Sequence, residues 1–302
     1  MPDGEQVYFG ISRDGFHWQS LNGGQPVLWA YYGDKGVRDH TIVRSRYDGR
    51  FHIFSTDLSL SYGMRGQYRN NWDEVARLGS KYLAHWQSDD LVNWTEQELV
   101  KIGGEDFGCV WAPDIVYDRK RDSYLLHWSS SRADNNYGPK GIFYSYTKDF
   151  VTFSQPEVLY HERDIGVIDS AIYDVNGSYY MFLKHESAPC HVRLLRADDV
   201  LGPYELVKAF DEEMEKLSQP ECLEAPTAIQ MEDGRWCLFL DYFGVRGAGQ
   251  GYVPFVTDSL ESGRFLRSDE QFSFPYGYKH GTILEISDEE YNRLERFQWP
   301  QN

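Results

Sequence analysis

The chain has 302 residues, 41% of them hydrophobic and 16% aromatic, with a formal net charge of −17 at pH 7. That length and apolar content can bury a large core, in one all-β domain or in two smaller domains. The acidic excess disfavours nucleic acid and anionic lipid as partners and leaves a neutral ligand such as a sugar unaffected.

No apolar run reaches the roughly eighteen residues of a membrane-spanning helix. The four cysteines, Cys109, Cys190, Cys222 and Cys237, form no C-x-x-C pair and read as small buried residues. The start, MPDGEQVYFG, lacks the basic and apolar regions of a signal peptide. A full-length chain is therefore expected in the cytoplasm, and one whose leader was removed in the periplasm or outside the cell.

In chain order, the first predicted element is a hairpin, "FGISRDGFHW" at 9–18. Its pattern is an apolar strand, a turn led by Asp, then an aromatic that opens a second strand. The pattern returns at 84–94, 143–153, 194–204 and 254–265. Asp14, Asp89 and Asp149 are assigned to these turns.

A second unit alternates with the first. It begins at Asp39 ("DHTIV"), Trp111 ("WAPDIV"), Asp169 ("DSAIY"), Glu224 ("EAPTAI") and His280 ("HGTIL"), with starts 55 to 72 residues apart. Each copy reads as a strand, a turn such as Asn176-Gly177, and an aromatic-rich strand. The stretch 58–74 is long for a connection and would shape a pocket, with Trp72 a candidate wall residue. Residues 211–218 read as a helical turn. The glycine-rich 244–251 reads as a loop at the channel mouth or as a plain connection. Ser287 and Glu290 mark the start of a terminal helix over 288–296.

Five units of about four strands each predict an all-β, five-bladed β-propeller with a short C-terminal helix, a single domain over 1–302. The chain starts on an outer hairpin and ends on an inner segment. The N-terminal hairpin, Val7–Trp18, is therefore expected to close the ring on the blade begun at His280. In such a ring Asp39, Trp111, Asp169, Glu224 and His280 would face one end of the central channel. Singly, each acid reads as a turn or cap residue, Trp111 as a core aromatic and His280 as a core histidine. Three acids at one repeat position weaken that reading, because like charges brought together cost stability. Carboxylates in an aromatic-lined channel suit glycoside hydrolysis: one protonates the leaving oxygen, a second activates water or attacks the sugar, and a third raises the pKa of the first.

The ordered motifs "VRDHTIVRS", "CVWAPDIVYD", "VIDSAIYDVNGSYYMFLKHE", "CLEAPTAI" and "YKHGTILEISDEEYNRL" resemble those of glycoside hydrolase family 43 over nearly the whole chain. The resemblance implies a five-bladed propeller and an inverting enzyme acting on arabinose- or xylose-containing glycans. The implied activity is that of an α-L-arabinofuranosidase, with β-D-xylosidase or arabinanase as alternatives. It also implies Asp39 as general base, Asp169 as the residue tuning the acid, and Glu224 as general acid. Trp111, His280, Arg38 and Trp72 would contact substrate. No cofactor is required, although His280 stands where some members hold an axial cation, often calcium.

Two departures stand out: His40 follows Asp39 where the family has Pro, which adds a titratable neighbour to the base, and Ala225 replaces Gly after Glu224. Glu221-Cys222 resembles the acid motif of the retaining, invertase-like hydrolases, whose nucleophile motif is absent. Lys184 and Glu186 read as a pair, either behind the site or on the surface. A sugar-binding propeller without catalysis, and a phosphorylase, are the competing classes.

Overall fold

The computed structural model describes residues 1–217, 222–243 and 251–300. The glycine-rich call on 244–251 and the alternative acid Glu221 therefore fall outside the described residues, apart from Gly251. The strands are numbered in chain order from β1 (Gly10–Ile11) and β2 (Gln19–Ser20), which pair as a short hairpin.

Four antiparallel, four-stranded sheets follow. The first is β3 (Val37–Arg44), β4 (Phe51–Asp57), β5 (Tyr82–Ser88) and β6 (Glu98–Lys101). The second is β7 (Trp111–Asp118), β8 (Ser123–Ser130), β9 (Gly141–Thr147) and β10 (Glu157–Tyr160). The third is β11 (Val167–Val175), β12 (Ser178–His185), β13 (His191–Ala197) and β14 (Glu205–Leu206). The fourth is β15 (Cys222–Gln230), β16 (Trp236–Phe243), β17 (Gly251–Thr257) and β18 (Leu266–Arg267). Each sheet is a meander, so neighbours in sequence are neighbours in space.

The turns follow from their residues. At Asn176-Gly177 both residues adopt positive φ, +54° and +90°, as the two-residue turn between β11 and β12 requires. In the outer hairpins a turn Asp gathers the orphan amides. Asp14 Oδ1 accepts from Phe16 and His17, and Asp149 Oδ1 from Val151 and Thr152. In the first blade this residue is Asp90, not the expected Asp89, which instead pairs with Arg50 at 2.9 Å.

The inner strands stand side by side, β3 on β7, β7 on β11 and β11 on β15, which arranges the sheets as propeller blades about an axis. The core lies between blades. Leu125, Ile142, Met181 and Leu195 join the second and third; Phe182, Leu194, Leu238 and Phe255 join the third and fourth. Each such side chain contributes about 1.5–3 kcal/mol by leaving water.

Three helices lie outside the blades as insertions or connections. The stretch expected as a long connection folds into α1 (Tyr62–Gly66) and α2 (Trp72–Leu78), the latter capped by Asn71, which accepts from Asp73 N–H. The turn expected at 211–218 is a ten-residue helix, α3 (Lys208–Leu217), anchored by Phe210 and Met214. The terminal helix, α4 (Asp288–Arg296), carries the expected capping box on Ser287 and Glu290.

Both chain ends meet beside the first blade. Residues 280–286 run past β3, with His40 N–H donating to His280 C=O at 3.1 Å and Ile42 N–H to Thr282 Oγ1 at 2.9 Å. They form no ladder, so the strand expected at His280 is irregular chain.

Candidate active site

Every inner strand breaks its ladder at the same height. Register shifts fall between Arg38 and Thr41, Trp111 and Asp114, Ile168 and Ala171, and Glu224 and Thr227. Within each break one non-glycine residue is left-handed: Asp39 (φ +52°), Ala112 (+47°), Asp169 (+54°) and Ala225 (+48°). His280 (+47°) repeats the conformation on the C-terminal segment. Such backbone costs of order 1–3 kcal/mol per residue and tends to mark functional sites. The repeat position is therefore Asp39, Ala112, Asp169, Ala225 and His280. Trp111 and Glu224, expected at it, stand one residue earlier, level with Arg38 and Ile168.

The one-residue offset does not remove Glu224 from the acids. His280 bridges them, with Nδ1 2.9 Å from Asp39 Oδ1 and Nε2 2.9 Å from Glu224 Oε1. The two nitrogens of an imidazole are about 2.2 Å apart, so those oxygens lie no more than about 8 Å apart, compatible with a water between the carboxyls. Asp169 is buried beside them and its backbone N–H donates to Ser129 Oγ. Its Oδ2 has no partner among the described protein groups.

Three residues complete the cluster. Thr56 Oγ1 donates to Asp39 Oδ2 at 2.8 Å. Lys184 Nζ donates to Glu224 Oε2 at 2.5 Å and sits 4.2 Å from the Phe243 ring centroid. Asp241 Oδ2 lies 3.0 Å from His280 Nε2. Sequence reading missed Thr56 and Asp241 and paired Lys184 with Glu186, which in fact meets Lys140 at 2.9 Å. A signal existed. Thr56, Ser129, Lys184 and Asp241 end the apolar second strands and lie directly across from Arg38, Trp111, Ile168 and Glu224.

The charges are strongly shifted. Burial alone would raise Asp39, but Arg38, 3.2 Å away, and His280 hold it far below the usual carboxylate range. Burial would likewise raise Glu224, yet His280 and Lys184 hold it low. Asp169 goes the other way, raised by burial and then by the Glu224 charge. Burial and neighbouring Glu224 also raise Asp241. The sequence reading has Asp169 raise the acid's pKa; in this geometry the two carboxyls shift in opposite directions, Asp169 up and Glu224 down.

Arg38 Nε lies between Asp39 and Glu5, at 3.2 and 3.4 Å, and the residue lines the same cavity as Asp39 and His280. His40 turns away from Asp39's carboxylate to Ser55 Oγ and Gln6 C=O, and burial keeps it neutral. Trp111 packs on the insertion helices and meets Trp72 edge to face at 6.1 Å. Trp72 is 49% exposed, so the pair forms an aromatic rim.

Glu224, Asp241 and His280 bring donor atoms within 4.8 Å of one another, a grouping that invites an ion. Calcium takes six to eight oxygens, and a ligating imidazole must offer a lone pair. Here the charges of Asp241, Asp39 and Glu224, 2.9–3.0 Å from its ring nitrogens, raise His280 well above the usual histidine range, and an imidazolium offers no lone pair. As arranged, these residues do not fit calcium.

The model of the family-43-related "Probable glycosyl hydrolase domain" matches residues 1–292. The chain belongs to this family. A curated protein of similar sequence is "Alpha-L-arabinofuranosidase" of Bifidobacterium longum subsp. longum, 27% identical over 192 residues; the match covers 58% of this chain and only 17% of that protein. Among solved structures, a family-43 protein of Bacillus licheniformis superposes with a TM-score of 0.58 at 15% identity, covering 89% of this chain and 52% of that one. An endo-arabinase of Bacteroides thetaiotaomicron gives 0.56 at 14% identity, with 79% and 81% covered. An α-L-arabinofuranosidase of Podospora anserina gives 0.55 at 15% identity, with 95% and 78% covered. At these identities the structural likeness is one of fold. Within the glycosyl hydrolase family the cluster on His280 is the candidate centre.

Proposed function

We propose that this domain is an inverting glycoside hydrolase that removes terminal α-L-arabinofuranose from plant glycans, with terminal β-D-xylose as the second choice. It works as one five-bladed ring over 1–302, closed by the N-terminal hairpin. Five left-handed residues at one height support five blades. The observation that carries the reaction is the bridging of Asp39 and Glu224 by one imidazole. The arabinofuranosidase relative supports the sugar.

Asp39, kept ionised by Arg38, His280 and Thr56, accepts a proton from the attacking water. Glu224 gives its proton to the leaving oxygen. That proton waits on the Asp169–Glu224 pair and moves to Glu224 when the glycosidic oxygen offers itself as acceptor. Asp169, then ionised, opposes its loss to solvent. Trp111 and Trp72 stack on the sugar chain. His280 serves as an internal cation, and no step needs a metal.

The test is a panel of aryl arabinofuranosides, xylosides and galactosides, plus a natural arabino-oligosaccharide, with wild type, Asp39→Asn and Glu224→Gln. Each variant should lose about 10²–10⁴-fold in kcat/KM on the oligosaccharide. Glu224→Gln should lose least on the activated aryl sugar, which needs little protonation. Proton NMR should show the inverted anomer first. No turnover by wild type would favour a binding module, and a retained anomer would sink the assignment.

A further inference from the structure

Two of the four cysteines meet at the seam between the third and fourth blades. Cys190 ends the turn between β12 and β13, and Cys222 is the first residue of β15. Their thiols share a hydrogen bond. Both residues are half-buried, so neither is sealed from solvent. The sequence reads all four cysteines as buried. Cys109 and Cys237 are, at 0% exposure, and stand on other elements.

The pair stands beside the acid proposed to protonate the leaving group. Glu224 follows Cys222 by two residues, just ahead of the left-handed Ala225. Phe243 lies across the ladder from Cys222. Lys184 Nζ sits 4.2 Å from the Phe243 ring centroid while it donates to Glu224 Oε2 at 2.5 Å. The Cys190 sulfur is close enough to feel the charges of both Lys184 and Glu224. Lys184 and Cys190 belong to the third blade, Glu224 and Cys222 to the fourth, so the two contacts cross one seam side by side. The two sulfurs differ in role. Burial, and then the bond to Cys222, push the Cys190 thiol up to about 11. Cys190 therefore keeps its proton and donates it toward Cys222 Sγ, which leaves the first attack to Cys222.

We propose that Cys190 and Cys222 are a thiol–disulfide switch for a low-molecular-weight disulfide such as oxidised glutathione, and that the bond they form staples the third blade to the fourth beside the Lys184–Glu224 contact. Cys222, as thiolate, attacks one sulfur of the oxidant. A mixed disulfide forms, and one thiolate leaves with the proton that Cys222 gave up. Cys190 then loses its proton and attacks the Cys222 sulfur, releasing the second thiol. The protein's two thiols give up two electrons and two protons, and the oxidant departs as two thiols. The sulfurs already touch and need only close to the bonding distance of about 2 Å. The staple fixes the seam and so holds the Lys184 ammonium on the Glu224 carboxylate. In the hydrolase reading above, on which this consequence rests, Glu224 must leave that charge to take up a proton. The closed form is therefore the slow one.

The test incubates the whole protein with oxidised glutathione, digests it without reductant and weighs the peptides. Wild type should show Cys190 linked to Cys222, with Cys109 and Cys237 unmodified. The linked protein should melt several degrees higher and return to its starting value with dithiothreitol. Cys190→Ser should stop at a mixed disulfide on Cys222, and Cys222→Ser should take up no glutathione. On the arabino-oligosaccharide, kcat of wild type should fall several-fold on oxidation and recover on reduction, while Cys222→Ser ignores the oxidant. Absence of the link, or a link between other cysteines, overturns the switch. So does a linked protein as active as the reduced one. The link and the melting shift use no turnover. A protein that links as expected but cleaves no sugar keeps the staple and loses the hydrolase reading; one that cleaves but never links does the reverse.

Discussion

Lys184 lies in β12 between apolar neighbours, 8% exposed, and its ammonium ends 2.5 Å from the carboxylate proposed to protonate the leaving group. After His280, Lys184 is the second charge that holds the Glu224 carboxyl low. Lys184→Met removes a positive charge and should raise the Glu224 carboxyl, moving the alkaline limb of kcat/KM upward by about one pH unit. Lys184→Arg should leave the limb near its original place. A pH–rate profile of all three proteins checks this, and an unmoved limb in the methionine variant would remove Lys184 from the acid's surroundings. Asp39, Asp169 and Glu224 were legible because each interrupts an apolar repeat with a charge. Their relative register was not. "WAPD" and "EAPT" each carry one residue more than "DHT" and "HGT" before the strand resumes, and only the bulge reveals which residue turns left-handed.

At the scale of elements, turn chemistry made the hairpins predictable: Asp, Asn and Gly at fixed offsets leave few alternatives. The insertion helices were hidden because "LSLSYGMRGQYRNNWDE" has weak helical periodicity, and α2 depends on the Asn71 cap and on Val75 against Tyr68. The histidines of β4, β5 and β8 offer a stability test. His52 Nδ1 lies 3.1 Å from His85 Nε2, the rings stack, and both residues are buried. Burial lowers His52 to about 4 and His85 to about 3, and buried His127 likewise to about 3. A histidine whose folded pKa lies below its unfolded value binds more protons when unfolded. Its stabilising contribution is complete above the unfolded pKa near 6.5 and is lost as pH falls toward the folded value. At pH 5 each such histidine should cost about 2 kcal/mol. Urea midpoints at pH 7 and pH 5 should differ accordingly, and His85→Phe should flatten the slope.

For the whole molecule, repeat order alone placed the blades in sequence, and the alternating units correctly gave the meander of each. What it did not give were the contacts of Thr56, Lys184 and Asp241, which come from three separate second strands and meet the acids and His280 only in three dimensions. Because His280 already carries a positive charge among Asp39, Glu224 and Asp241, gel filtration after EDTA should leave both melting temperature and turnover unchanged. A fall in either, restored by Ca²⁺, would place an ion on the axis. The acidic surface should also make neutral oligosaccharides better substrates than uronate-bearing ones of equal length, most visibly at low salt.

The left-handed bulges carry one more implication. A backbone mould repeated around the ring presents interchangeable sockets, and the residue in each socket is free to differ while the mould stays the same. Two of them here, at Ala112 and Ala225, hold nothing but a methyl group. Enzymes built on this mould can therefore change their chemistry by refilling sockets rather than reshaping the chain, and the vacant pair marks where an additional acid or base could be installed with little disturbance, Asp and Asn being the side chains that best tolerate that conformation.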